Sequence, residues 1–489
     1  MNKTAVNIVW FKRDLRLQDH APLYNASQSG NPSILLYIFE PSLISDPHYD
    51  SRHWTFVWES LKEMQLKLEK HGHKLLIVCE EAEEIFRKLS ELWQIEAVYS
   101  HRETGIDLTY KRDQQMARYF ANEGVEWHEY PTNAVQRGLK NRDGWRKSWN
   151  EIIKSPQQKV DLDRLAVVEF TAQSLRRLNQ EIPDVFMSSN AAFQTGGESE
   201  AWRLLESFVH KRCSDYNASI SAPGPARTGC SRLSPYITWG NLSIRQIVQY
   251  MDEHYSDAPS KKGLRSFKSR LGWHCHFVQK FESEPRIEFE NMNRGFDDIR
   301  TDWNQENFNA WKEGRTGFPM VDACMRSVMA TGYLNFRMRA MLVSFLTHHL
   351  WLNWPEGSLH LARQFLDFEP GIHYSQFQMQ AGTMGVNTIR IYNPVKQGMD
   401  HDPEGEFIRE WVPELVSVPA GLLHEPWKMS RMEQGLYRCR IGQDYPEPVI
   451  SDLKISYKHA SSILWSKKGS PEVKEENRRI LQMHVKKRS

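Results

Sequence analysis

Arg337 and Arg339 stand inside an apolar stretch, Leu334–Leu350, that reads as one helix. A guanidinium there must meet a carboxylate or face a cavity, because an unpaired charge held away from water is strongly disfavoured. Asp367 and Glu369, at the end of a nearby helical segment, are natural partners. Such a pair either bridges two helices or flanks a planar ligand. A second group is Gly229-Cys230-Ser231-Arg232-Leu233-Ser234, just after Pro223 and Pro225. Small residues and hydroxyls beside an arginine offer backbone N–H groups and a charge to a diphosphate. The same residues suit a turn that caps the next helix. A third, Trp311–Ala323, places Gly, Pro and Asp as a tight turn into a helix start, with Pro319 early and Asp322 in the first turn; its role is structural. Seventeen tryptophans among 489 residues add a surplus of flat, polarisable rings.

These residues need a frame. Val6–Phe11, Ile34–Phe39, Leu75–Cys79, Ala97–Ser100 and Val125–Tyr130 read as buried strands, separated by helical stretches at Trp54–His71, Ala82–Trp93 and Leu108–Ala121. That alternation predicts a doubly wound parallel sheet, Rossmann-like, over residues 1–135. Such sheets bind ligands beyond the carboxyl ends of their strands. No GxGxxG or GxxxxGK[ST] follows any strand, which argues against a standard dinucleotide or Walker loop. Residues 136–200, broken by Pro156, Pro183 and Gly196-Gly197, read as a surface connector with some helix near Arg146–Ile153. Helical period dominates from Glu198 to about Gln380, and residues 201–465 read as an all-α domain. From Ser466 to 489, eight Lys/Arg against three Glu predict an exposed basic helix or tail.

Composition narrows the function. No run approaches the ~18–20 apolar residues of a membrane span, and the N-terminus carries no secretory h-region. The six scattered cysteines fit reduced thiols, hence a cytoplasmic protein, better than disulfides or a zinc site. The net charge of +2 excludes a bulk polycation. Segment 201–280 nevertheless carries 12 Lys/Arg against 5 Asp/Glu, including Arg227, Lys261, Lys262, Arg265, Lys268 and Arg270. That excess is either a solvated face or a DNA-binding one, and on a neutral chain it favours DNA.

Val9-Trp10-Phe11-Lys12-Arg13-Asp14-Leu15-Arg16 resembles the opening strand and turn of the DNA photolyase/cryptochrome family. Gly229–Ser234, Glu313–Ala323, Gly332–Arg339, Arg390–Pro394, Glu406–Arg409 and His424–Trp427 match that family in order and spacing, so the resemblance spans about residues 5–450. It implies an α/β antenna domain and a helical domain holding FAD. Tyr216 and Cys230, Ser231, Arg232, Leu233 and Ser234 match the positions that hold the ribityl chain and diphosphate. Phe267, Trp273 and His274 match the helix beside flavin and lesion. Arg339 and Asp367 match the ion pair against the isoalloxazine, with Glu369 at a second carboxylate position. Gln397 matches a position near DNA. Glu103, in His101–Gly105, stands where family members hold a folate or other pterin- or flavin-type antenna; a capped helix start is the alternative.

The departures from the family matter as much. His373 replaces the Asn that faces flavin N5, where a histidine could donate a hydrogen bond or proton. Trp354 and Trp303 match the middle and outer members of an electron-carrying tryptophan triad, or are core packing, but Phe377 replaces the inner one, so photoreduction must hop farther, use Tyr374 or Trp351, or be slow. Arg270 replaces the Glu that contacts cyclobutane dimers, Met379 a pocket tryptophan and Phe336 an Asn. Histidines tied to (6-4) lesions are absent, while Trp273 and Arg337 are kept. The resemblance therefore implies a monomeric, blue-light-driven photolyase acting on UV-damaged DNA, with a cryptochrome-type photoreceptor lacking repair as the alternative.

Overall fold

Runs of Val, Ile, Leu and Phe bounded by turn residues favour buried strands. The computed structural model, which describes residues 3–485, forms them into β1 (Ala5–Phe11), β2 (Ser33–Phe39), β3 (Leu75–Cys79), β4 (Gln94–His101) and β5 (Glu126–Tyr130). All pair in parallel, in the order β3-β2-β1-β4-β5. Successive side chains point to opposite faces of a strand. On one face Val9, Phe11, Leu35 and Phe39 meet α1 (Ala21–Ser27) and α2 (Ser51–Glu69), in a core that continues without a break into the helical half. On the other, Ile8, Trp10, Ile34 and Leu36 meet α3 (Ala82–Leu92) and α4 (Asp107–Glu123) through Phe86 and Phe120.

Strand order reverses at β1, so the loops after β1 and β4 open one crevice at the carboxyl edge of the sheet. The loop after β1 ties that edge to the rest of the chain. Lys12 Nζ bonds Asp113 at 3.1 Å, Arg13 Nη2 donates to the Phe368 carbonyl at 2.9 Å, and Arg16 Nη1 donates to the Gly240 carbonyl at 3.0 Å. Asp14 accepts from His20 Nε2 at 2.8 Å and His101 Nδ1 at 2.6 Å.

The connector contains α5 (Trp145–Lys154), whose Trp145, Trp149 and Ile153 are buried. The helical half begins with α6 (Glu198–His210) and includes α7 (Lys261–Ser283), α8 (Phe336–Ser344), α9 (Trp354–Gln364) and α10 (Pro370–Ala381). The single helix expected over Leu334–Leu350 starts at Phe336, widens to π geometry at Phe345–His349, and ends before Trp351, whose φ is 55°. Helix α10 packs against both α7 and α8. Its approach to α7 requires glycine: a Cβ on Gly371 would lie 2.6 Å from Val278 Cα.

The exposure expected from Ser466 is corrected, while the helix that the segment could form is present. After α11 (Leu453–Lys468), residues Pro471–His484 form α12. Val473 and Ile480, two turns apart, are buried in the helical half, and inward charges find partners: Glu284 takes Arg479 at 2.6 Å and His484 at 2.8 Å. The last basic residues, 486–488, lie outside the described residues. Among the described residues no helix is long and apolar enough to cross a membrane.

Candidate functional site

Helix α8 delivers Arg339, and the loop between α9 and α10 delivers Asp367 and Glu369. Arg339 Nη2 meets Asp367 Oδ2 at 2.9 Å while its Nε donates to the Leu334 carbonyl at 2.7 Å, and its guanidinium lies 4.0 Å from the Phe365 ring centre. Burial alone would raise the Asp367 pKa, but Arg339 outweighs it and holds the carboxyl below the usual range. Glu369 Oε2 meets Arg13 Nη2 at 3.2 Å; here burial outweighs the arginine and the carboxyl is pushed up.

Around this pair several polar atoms are sealed from water yet have no partner: Asp367 Oδ1, Glu369 Oε1, Arg13 Nη1 and both ring nitrogens of His274. Burial pushes His274 down to about 4, with Arg13 adding to the effect, so its ring is neutral near pH 7. A buried polar group without a hydrogen bond is strongly disfavoured. A cluster of them fits a polar cofactor that supplies the missing donors and acceptors.

The Cys230–Ser234 loop fits the phosphate end of the same cofactor. Arg212 takes the carbonyls of Cys230 and of Ser231, the latter at 3.2 Å, and Gln194 Nε2 takes the Arg232 carbonyl at 2.9 Å. Arg232, at φ 63°, lies 3.5 Å from the Tyr333 ring centre and bonds Gln194 at 2.8 Å. Among the described residues no acceptor meets the amides of Ser231, Arg232 or Ser234. The serines do not cap the following helix, whose N-cap Leu233 carries no side-chain bond. Tyr216 packs edge-on to Phe208 and Phe267 nearby.

Helix α10 brings His373, Tyr374 and Phe377 together. The donor role expected of His373 is corrected. Its Nε2 donates to the Ser358 carbonyl at 2.9 Å, and burial pushes the ring down to about 3. The imidazole is therefore neutral, and Nδ1 is left as an acceptor. Phe377 lies 5.4 Å from His373 and 6.5 Å from Trp354, centre to centre. Tyr374 is as near, 5.5 Å from His373 and 6.1 Å from Trp354. Trp303 is partly exposed and packs on Phe308 at 5.0 Å. Trp351 lies under the Arg300 guanidinium and meets His459 of α11 edge-on.

Trp273 is 50% and Phe336 51% exposed, large apolar surfaces facing solvent from α7 and α8. Arg337 Nε and Gln397 Oε1 are buried without partners, and Met379 is half-buried. Arg270 is exposed and lies beside the Tyr216 hydroxyl. The basic excess is partly spent on ion pairs: Arg227 with Glu410 at 2.8 Å, Lys268 with Asp252 at 2.6 Å. Lys261, Lys262, Arg265 and Arg270 stay exposed on the first turns of α7.

Glu103 lines the crevice at the sheet edge together with Lys12, Arg13, Arg102, Thr104, His274 and Glu369. Its carboxylate is taken by Arg112 at 2.6 Å, and it does not cap α4, whose N-cap is Ile106. The sequence reading missed Arg13 as a partner of Glu369, although Arg13 belongs to the motif that carries the resemblance. It also missed His48, which bonds Tyr374 from across the domain boundary; nothing in the spacing around His48 signals this.

The family model described as DNA photolyase matches residues 7–137, and the one described as FAD binding domain of DNA photolyase matches residues 267–466. A deoxyribodipyrimidine photo-lyase of Alkalihalophilus pseudofirmus is 30% identical over 474 residues, covering 93% of this chain and 96% of its own. A cryptochrome DASH of Gloeobacter violaceus is 28% identical over 476 residues, covering 91% of this chain and 93% of its own. The solved cryptochrome of Synechocystis sp. superposes with a TM-score of 0.84 at 23% identity, covering 95% of this chain and all of that one, a likeness of fold.

Proposed function

The chain belongs to the DNA photolyase/cryptochrome family, and we propose that it is a blue-light-driven, FAD-dependent lyase that reverses pyrimidine dimers in ultraviolet-damaged DNA. Bound FAD supplies the light absorption and the electron; the protein supplies position and electrostatics. The Arg339–Asp367 pair holds the ring system, the free amides of Ser231, Arg232 and Ser234 take the diphosphate, and His373 offers an acceptor. Trp273 and Phe336 stack on a dimer turned out of the duplex, while Arg337, Gln397 and the exposed lysines and arginines of α7 take the backbone. The crevice that Glu103 shares with Arg13, His274 and Glu369 belongs to the flavin side, so an antenna chromophore held by Glu103 would share that wall in this reading.

One observation carries the proposal. A single turn of α7 places His274, buried, without partners and lining a crevice with Arg13 and Glu369, next to Trp273, which is half exposed. A ligand in that crevice and a base stacked on Trp273 are thereby brought close. Arg270, where dimer-repairing members keep a Glu, favours the second reading, a photoreceptor with the same flavin and no repair. The test is blue-light illumination of the flavin-loaded, reduced protein with ultraviolet-irradiated oligonucleotides, single- and double-stranded. Restored thymines support repair. Intact lesions of both types, beside a normally photoreducible flavin, favour the photoreceptor.

A further inference from the structure

Phe377 raises a chemical problem: its ring is much harder to oxidise than tryptophan or tyrosine. The residue that replaces it in space is Tyr374, on the same helix. Tyr374 is 1% exposed and packs against both Trp354 and His373, whose ring neighbours Phe365, the ring under Arg339. A buried tyrosine gives up an electron readily only when its phenolic proton has somewhere to go, because a protonated phenol radical cation in an apolar interior is a charge without solvation.

The structure provides that destination. The Tyr374 hydroxyl is hydrogen-bonded to Nε2 of His48, which comes from the loop before α2 in the other domain and is 4% exposed. On its far side His48 Nδ1 meets Asp46 Oδ1 at 2.6 Å, and the His48 amide donates to the same oxygen at 3.0 Å. A carboxylate accepts, so Nδ1 carries the imidazole proton, Nε2 presents its lone pair, and the tyrosine O–H donates to it. Phe368 stacks on the imidazole at 5.5 Å, and Glu288 lies 3.9 Å from Nε2. Burial pushes Glu288 up to about 8, so it is largely protonated near pH 7 and does not compete as a base.

We propose that Tyr374, His48 and Asp46 form a proton-coupled electron relay that replaces the missing tryptophan at 377. Tyr374 gives one electron to the light-excited oxidised flavin in the pocket. In the same step its phenolic proton moves along the existing hydrogen bond to His48 Nε2. The products are a neutral tyrosyl radical and an imidazolium held by the Asp46 carboxylate. Trp354 returns an electron to Tyr374, the proton returns from His48, and the hole left on the buried Trp354 is filled by an electron that passes through the protein from an external thiol, which is oxidised. The inference rests on the flavin binding in this pocket and not on DNA repair, so failure of repair leaves it standing.

The test is flash photolysis of the FAD-loaded, oxidised protein with external thiol and without DNA. A tyrosyl radical is expected, formed with a solvent deuterium isotope effect. Tyr374→Phe abolishes that radical and slows photoreduction by about 10²-fold, the scale of a lost positioned proton acceptor. His48→Gln keeps a hydrogen bond but cannot accept the proton, and slows radical formation comparably with flavin retained. Tyr374→Trp restores fast reduction with a tryptophan radical and no isotope effect, which a merely structural tyrosine would not do. In the flavin-free protein, nitrogen NMR of labelled histidine is expected to show His48 with Nδ1 protonated and Nε2 bare. The proposal is overturned by the opposite tautomer, or by Tyr374→Phe reducing at the parent rate through tryptophan alone.

Discussion

Burial decides the chemistry of His373. A solvent-exposed histidine in its place would titrate near pH 6.5, but here desolvation holds the ring neutral down to about 3, and its Nε2–H is committed to Ser358. The bound flavin of the parent protein and of His373→Asn should therefore show no titration step between about pH 5 and pH 8 attributable to this residue; an absorption change in that window present only in the parent would contradict the neutral assignment. At Arg339, the pairing logic was legible from the sequence, since a charge in an apolar helix must find a partner and Asp367 was the carboxylate at hand. Removing one partner of a buried pair costs about 3–5 kcal/mol, so Asp367→Asn should lose FAD on gel filtration and melt earlier, whereas Asp367→Glu retains part of both. What the sequence could not show is Arg13–Glu369 or His48–Tyr374, contacts between positions 356 and 326 residues apart.

At the scale of elements, period and turn signals located all five strands and the long helices of the first domain, because each buries a face whose spacing is written locally; α10 and α11 were not among the helices so located. Two further features escaped for a physical reason. The π turn at Phe345–His349 depends on what packs against it: Arg300 donates to the Thr347 carbonyl there at 2.7 Å and to the Ala381 carbonyl at the end of α10 at 2.7 Å. Helix α12 looked exposed because its charges outnumber its few inward residues. Its anchor is pH-sensitive. Burial would raise Glu284, but His484, Arg286 and Arg479 depress it to about 2, well below the ordinary carboxylate range. A depressed carboxyl stabilises the fold fully above its unfolded pKa and loses that contribution as the pH falls through the folded one. Hydrogen exchange in α12 should accelerate as the pH falls from about 4.5 toward 2, after correction for intrinsic rates, and Glu284→Gln should flatten that dependence while loosening the helix at neutral pH. Between α7 and α10, Gly371→Ala would drive a methyl into the Val278 backbone. Overpacking of this kind costs about 1–3 kcal/mol, so a lowered Tm and weaker FAD retention are expected; an unchanged Tm would mean the two helices are free to separate.

For the whole molecule, a net charge of +2 conceals an uneven distribution. The exposed Lys261, Lys262 and Arg265 lie on the helix that carries Trp273, so DNA affinity should fall with salt, with a slope near 0.9 per phosphate contact. Replacing all three by alanine should lower that slope by up to about 3 units; equal slopes for parent and variant would place the DNA elsewhere. The two domains act together because one apolar core runs through both and because Arg13 and His48 cross between them. The most direct measurement of the proposed activity is thymine recovered per flash from a single-turnover mixture of reduced, FAD-loaded protein and a dimer-containing oligonucleotide. Recovery is expected with light and reduced flavin together, and none in the dark or after Trp273→Ala. Lesions left intact by protein that binds the oligonucleotide and holds reduced flavin would contradict a repair function.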